Sequence, residues 1–208
     1  MKKAIIFDLD GTLWDTSKET QRIWSEVARN YELKNHNYNV NDVMGMTKEE
    51  IIETLFKNDR KLGNSFITEC QKKENEYFSK KGGHIYSNVL ETIYDLYNRI
   101  ELYIVSNCQS GYIESFLHYY KLEKYFKDYE CSGNTGEEKS ENIKRILQRN
   151  NISFAVYVGD TEKDYYASKI NNLPFIWASY GFGLCEKYDV CINNIVELRK
   201  IQDFNINY

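Results

Sequence analysis

No apolar run in this sequence approaches the roughly 20 residues that a membrane helix needs. The first such run, Ala4-Ile5-Ile6-Phe7, follows two lysines but is cut short by Asp8, which is too soon for the core of a secretory signal, so a cytoplasmic location is expected. The five cysteines (Cys70, Cys108, Cys131, Cys185 and Cys191) are odd in number, scattered and without CxxC spacing, which excludes a disulfide framework and suits reduced thiols. His36, His84 and His118 are equally isolated, so no zinc-ligand spacing is present. No basic cluster stands out among 27 basic and 31 acidic residues, and with a net charge of −4 a nucleic acid polymer is not an expected partner. There is no internal repeat and no low-complexity linker. The single proline and 18 tyrosines are a compositional bias with no mechanism attached. What remains is 208 residues with 42% hydrophobic content, enough for one large domain or a domain with a small insertion.

The most informative stretch is Ala4 to Thr12. Four consecutive apolar residues bounded by polar punctuation predict a strand buried on both faces, as in a parallel sheet. Asp8 and Asp10 then stand at its carboxyl end, where open α/β sheets bind ligands, and two acids there are costly as packing but useful as chemistry. Capping-box patterns at Thr16/Glu19 and Thr47/Glu50 start two helices, a third helix is expected from about Ser65 to Phe78, and Gly82-Gly83 ends it. Roughly 70 residues of helix straight after the first strand exceed one crossover and read as an inserted bundle. The predicted division is therefore residues 1–13 and 84–208 as the core, with 14–83 as a helical insertion.

From Asn88 the pattern alternates. A helix carrying Val89, Ile93 and Leu96 precedes the strand Leu102-Val105, which stops at Ser106-Asn107. A helix with Ile113, Phe116, Leu117 and Tyr120 leads to an extended piece at Tyr129-Cys131 and a turn-rich loop, Gly133 to Gly136, with Lys139 at its end. After a helix marked by Ile143, Ile146 and Leu147, the strand Phe154-Val158 runs into Gly159-Asp160-Thr161-Glu162-Lys163-Asp164. A helix to about Ile170, a strand at Phe175-Trp177, the loop Tyr180-Gly181-Phe182-Gly183, a short strand near Val190-Ile192 and a terminal helix complete the chain. This alternation predicts a Rossmann-like α/β core: a parallel sheet flanked by helices.

Asp8-Leu9-Asp10-Gly11-Thr12, a strand ending in Ser106, the lone Lys139 and Gly159-Asp160…Asp164 resemble, in order, the four motifs of the haloacid dehalogenase-like hydrolase superfamily. The match spans nearly the whole chain. Glycine, tyrosine and acid around Gly111-Tyr112-Ile113-Glu114, Tyr125-Phe126 and Tyr180-Gly-Phe-Gly further resemble its phosphoglycolate-phosphatase-like branch, whose members carry a small helical cap. One departure is Ser140, since proline often follows the motif lysine in that branch.

The resemblance implies a Mg²⁺-dependent phosphatase of small phosphate monoesters. By it, Asp8 is the nucleophile that forms a phospho-aspartate, and Asp10 is the acid that protonates the leaving alkoxide and then the base that activates water. Ser106, the Asn107 backbone N–H and Thr12 bind the phosphoryl group, and Lys139 supplies positive charge. Mg²⁺ is held by the Asp8 carboxylate, the Asp10 carbonyl and Asp160; Asp164 is a ligand, directly or through water, or a partner for Lys139. The loop Met44 to Lys48 resembles the specificity loop of small-cap members and makes Lys48 a candidate substrate contact. The expected partner is a small phosphorylated metabolite, with no membrane association and a monomer or homodimer as the working unit.

Alternatives on the same motifs are a phosphomutase of the β-phosphoglucomutase type, a pyrophosphatase or a nucleotidase. A 2-haloacid dehalogenase needs no leaving-group acid, so Asp10 argues against it. A receiver-like signalling module has no inserted cap.

Overall fold

The computed structural model describes residues 3–31, 33 and 39–200; His36 lies outside them. Six parallel strands form the central sheet: β1 (Lys3–Phe7), β4 (Glu101–Ser106), β5 (Asp128–Cys131), β6 (Phe154–Gly159), β7 (Phe175–Ala178) and β8 (Val190–Ile192), in the spatial order β5-β4-β1-β6-β7-β8. Its helices are α4 (Val89–Tyr97), α5 (Tyr112–Tyr120), the single turn α6 (Ser132–Thr135), α7 (Lys139–Arg149) and α8 (Glu162–Ile170). The short apolar runs become strands because each strand has a core on either side. Ile5 and Phe7 point into one apolar cluster and Ala4 and Ile6 into the other, and Leu102/Ile104 against Tyr103/Val105 repeat the division on β4. A Rossmann-like core is therefore the observed fold.

The strand order fixes where chemistry can sit. The chain builds outward from β1 to β5, then returns to the other side of β1 with β6, so the order reverses beside β1. In such sheets the crevice at the carboxyl ends beside the reversal is open for a ligand. Asp8, Ser106 and Asp160 emerge there from three adjacent strands.

Between β1 and α4 the chain forms three helices, α1 (Ser17–Asn30), α2 (Lys48–Phe56) and α3 (Arg60–Lys81), around an apolar cluster of their own that includes Ile23, Trp24, Val43, Ile52, Phe56 and Phe66. The third helix begins five residues before the expected Ser65, because the Asp59 carboxylate accepts the Leu62 N–H at 3.0 Å and caps an earlier start. A Cβ at Gly63 would lie 2.6 Å from the Phe56 Cβ, so α2 and α3 meet too closely there for any side chain.

Two short strands close the insertion where helices alone were expected. β2 (Trp14–Asp15) pairs antiparallel with β3 (His84–Ile85), Trp14 opposite Ile85 and Asp15 opposite His84. Trp14 is fully buried and its ring meets Phe78, Tyr112 and Phe116 at 5.0–5.3 Å, so it packs with the sheet's core rather than with the helical cluster. The terminal helix is a 3-10 segment, Ile195–Lys200, and residues after it lie outside the description. No helix among the described residues is long and apolar enough to cross a membrane.

Candidate active site

Asp8 follows β1 directly, and its N–H donates to the Val158 carbonyl at 2.8 Å, so the sheet ladder carries on through Asp8. The residue is 2% exposed. Lys139 reaches it from the first residue of α7, not from a loop end as expected: its Nζ lies 2.9 Å from Asp8 Oδ1 and 2.5 Å from Asp164 Oδ1. Burial works against the ammonium, but the Asp164 and Asp8 carboxylates outweigh it and hold the Lys139 pKa well above the usual value.

Asp164 divides its two oxygens. While Oδ1 holds Lys139, Oδ2 accepts the Thr161 N–H at 3.0 Å and the Thr161 hydroxyl at 2.7 Å, completing the capping box that starts α8. Of the roles open to it in sequence, the geometry brings it to the partner of Lys139.

Asp160 is fully buried and half satisfied. Its Oδ2 accepts the Phe182 N–H at 2.8 Å and the Gly183 N–H at 3.2 Å, whereas Oδ1 has no hydrogen-bond partner among the described residues. Gly11 makes room for it: φ is +79°, and a Cβ there would sit 2.2 Å from Asp160 Oδ2. Ligand atoms of Asp8, Asp160 and Asp164 all lie within 4.8 Å of one another. Burial raises Asp8 to about 6 against the pull of Lys139; burial first, then the charges of Asp164 and Asp8, raises Asp160 well above the usual carboxylate range. One lysine among three buried carboxylates leaves excess negative charge, and an orphaned, buried carboxylate oxygen is what a cation would occupy. The all-oxygen donor set fits a hard divalent ion such as Mg²⁺.

Asp10 is held from two directions. Its Oδ1 accepts the Tyr112 hydroxyl at 3.0 Å and the Thr16 hydroxyl at 3.1 Å, and those two hydroxyls are 2.8 Å apart. Thr16 therefore makes no side-chain cap on α1: the Thr16/Glu19 capping box expected from sequence does not form, because the hydroxyl is drawn to Asp10 and Tyr112. The Thr47/Glu50 box does form. Burial, and after it the charge of Asp8, pushes Asp10 up to about 7, with the Tyr112 and Thr16 hydrogen bonds pulling the other way. A carboxyl group in that range can both give and take a proton near neutrality.

Asp8, Asp10, Ser106 and Asn107 line an inner hollow of about 70 Å³, whose opposite wall is the helical insertion. Outside it lies a cleft of about 890 Å³ that includes Lys139 and Lys48.

The haloacid dehalogenase-like hydrolase family matches residues 5–178. The chain is a haloacid dehalogenase-like hydrolase. It is similar to a phosphoglycolate phosphatase from Vibrio parahaemolyticus, with 24% identity over 199 residues, 86% of this chain and 85% of that protein. Among solved structures, a haloacid dehalogenase-like hydrolase from Streptococcus pneumoniae superposes with a TM-score of 0.80 at 19% identity, covering 95% of this chain and 96% of its own. CbbY from Rhodobacter sphaeroides, solved with xylulose-1,5-bisphosphate, gives the same TM-score at 17% identity and the same coverage. These likenesses establish the fold.

Within this hydrolase the remaining candidates are placed as follows. Asn107 Nδ2 donates to the Gly45 carbonyl at 2.9 Å and its Oδ1 accepts the Ser132 hydroxyl at 3.1 Å, so it ties the sheet to the Met44–Lys48 loop. Lys48 is on the outer cleft, not the inner hollow, and its Nζ donates to Thr68 Oγ1 at 2.9 Å. Thr12 is fully buried, its hydroxyl without a partner among the described residues, and it borders neither space. Cys108, beside Ser106, has its thiol pushed well above the ordinary value by burial and by the neighbouring Cys131, which makes it a poor nucleophile.

Sequence reasoning missed Tyr112 and Thr16 as the partners of Asp10, and the backbone of Phe182 and Gly183 as the anchor of Asp160. It also missed Glu74. The signal for that residue was present: Cys70, Glu74 and Phe78 share one stripe of α3 at fourfold spacing, and a carboxylate inside an apolar stripe marks a polar partner.

Proposed function

We propose that this hydrolase is a Mg²⁺-dependent phosphatase of small phosphate monoesters that works through a phospho-aspartate on Asp8. The observation that carries the reading is the pairing of Lys139 with Asp8 beside the unpartnered Asp160 Oδ1: a dianionic phosphate approaches a carboxylate nucleophile only where positive charge is already in place. The Asp8 and Asp160 carboxylates and the Asp10 carbonyl would hold Mg²⁺, which would supply the charge neutralisation that lets the dianion enter.

Lys139 fixes the Asp8 carboxylate through Oδ1 and brings its positive charge to the nucleophile, and Asp164 keeps the ammonium in place. The Ser106 hydroxyl and the Asn107 backbone N–H, at the end of the neighbouring strand, donate to the phosphoryl group. Asp8 attacks phosphorus and the P–O bond to the alcohol breaks. Asp10, protonated and oriented by Tyr112 and Thr16, gives its proton to the departing oxygen, then takes one from the water that cleaves the acyl phosphate. Residues 14–83 act as the cap that covers this step.

The test is phosphate release from p-nitrophenyl phosphate and a panel of metabolite phosphates, with Mg²⁺ and after exhaustive chelation. Release that needs the metal is expected. Undiminished release after chelation contradicts the metal's part, and rapid turnover of a 2-haloacid without phosphatase activity contradicts the reading as a whole.

A further inference from the structure

The inner hollow has two chemically different walls. The sheet side supplies Asp8, Asp10 and Ser106, where phosphate is handled; the insertion supplies the wall that an alcohol leaving group would face. That wall is mostly apolar, with Val40, Val43, Ile51 and Ile67 beside Thr20 and Gln71, and its one charged side chain is Glu74 of α3, 5% exposed. A buried carboxylate costs several kcal/mol in lost hydration unless something compensates. Glu74 Oε1 accepts the Trp24 indole N–H at 2.6 Å, and Oε2 accepts the Gln109 amide at 2.8 Å. Burial raises the Glu74 pKa and the Trp24 and Gln109 hydrogen bonds pull against it, and each oxygen keeps a further acceptor site toward the hollow.

Equally informative is the charge of the lining. Among the described residues, no lysine or arginine borders the inner hollow; Lys48, Lys72 and Lys163 all border the outer cleft instead. An alcohol bearing a carboxylate would meet Glu74 with no cation to balance it. An alcohol bearing a hydroxyl or an ammonium would meet an acceptor already aimed by Trp24 and Gln109.

We propose that Glu74 selects the leaving group: the substrates are small phosphate monoesters whose alcohol is neutral or cationic and carries a hydrogen-bond donor, and carboxylate-bearing alcohols such as glycolate are rejected. This rests on the phosphatase reading above and sets the chain apart from the specificity named for its Vibrio relative. Rejection is electrostatic, because a like charge is repelled in a poorly hydrated pocket, and acceptance comes from a donor completing the acceptor capacity of Glu74.

The experiment compares kcat/KM of the Mg²⁺-loaded protein for phosphoethanolamine, glycerol phosphate and phosphoglycolate, with p-nitrophenyl phosphate as a reference, in the wild type and in Glu74→Gln. The wild type is expected to favour phosphoethanolamine or glycerol phosphate over phosphoglycolate by more than about a hundredfold. Which of the two leads distinguishes an ammonium from a hydroxyl donor. Glu74→Gln is expected to shrink the ratio at least tenfold, chiefly through KM of the donor-bearing substrates. A wild type that hydrolyses phosphoglycolate as well as the other two overturns the proposal, and that result needs no variant. So does a Glu74→Gln protein in which all four substrates fall by one common factor, since Glu74 would then only join Trp24 to Gln109. If p-nitrophenyl phosphate and every other ester are inert, the phosphatase reading itself fails and the proposal falls with it.

Discussion

Asp164 uses one oxygen for Lys139 and the other for the start of α8, so a single side chain couples the charge of the site to the geometry of a helix. Asp164→Asn removes the negative charge that steadies Lys139 and sets an amide N–H₂ against the donors of either Lys139 or Thr161. We expect kcat to fall by at least about tenfold, roughly 1.4 kcal/mol in barrier, with a smaller change in KM. Stability should fall by about 1 kcal/mol, the usual worth of a helix cap, measured by urea titration. A variant with full kcat and lowered stability would show that Asp164 serves the helix alone. The same scale explains why some residues could be read in advance and others not. Asp8, Asp160 and Lys139 belong to motifs at strand or helix ends, so their meeting follows from the alternation of elements. Tyr112 reaches Asp10 across 102 positions of sequence, and Thr16 gave up a cap that its own local sequence favoured; only tertiary packing decides both.

At the scale of elements, β5 is an edge strand held to the end of α7 by Arg149 and Asn150. Arg149 reaches Asp128 through Nε and Nη2 at 2.7 and 2.8 Å and Glu130 through Nη1 at 2.8 Å. Glu130 is 6% exposed, so Arg149→Ala strands a buried carboxylate and should cost about 2–4 kcal/mol in chemical denaturation. The pair also sets an acid dependence. Burial raises the Asp128 pKa but the Arg149 and Asn150 hydrogen bonds outweigh it, leaving it below the ordinary aspartate value. The unfolded chain then binds the extra proton. Stability from this contact is present above the ordinary aspartate pKa and is lost as pH falls through the lowered one. Wild type and Arg149→Ala should therefore converge in stability on acidification; a difference that is constant with pH would contradict the pairing. Strands such as β1, β4 and β6 were legible because each is an unbroken apolar run. The β2–β3 ribbon was not, since two residues per strand carry no periodicity and its pairing is fixed by the burial of Trp14.

Taken whole, the molecule is a six-stranded sheet that gathers acids at one edge and a helical unit that stands over them. Several hydrogen bonds join the two, among them Asn107 to the Gly45 carbonyl, Gln109 to Glu74, Asn75 to the Ser110 carbonyl, and Lys163 to Glu50 at 2.7 Å. Asn107, Gln109 and Ser110 all lie just after β4, so Ser106, expected to bind phosphate, is next to the residues that hold the insertion. The central claim is that the Asp8 carboxylate becomes phosphorylated in each turnover. The most direct measurement is acid quench of the Mg²⁺-loaded protein during steady hydrolysis of a reactive phosphate ester, followed by peptide mass spectrometry, with Asp8→Asn alongside. The account predicts a phosphoryl group on the Asp8 peptide of the wild type, no adduct in Asp8→Asn, and a residual rate in that variant below about one hundredth of wild type, a barrier change above roughly 3 kcal/mol. Phosphate release without any adduct on Asp8, or an Asp8→Asn protein that keeps more than that rate, would contradict it.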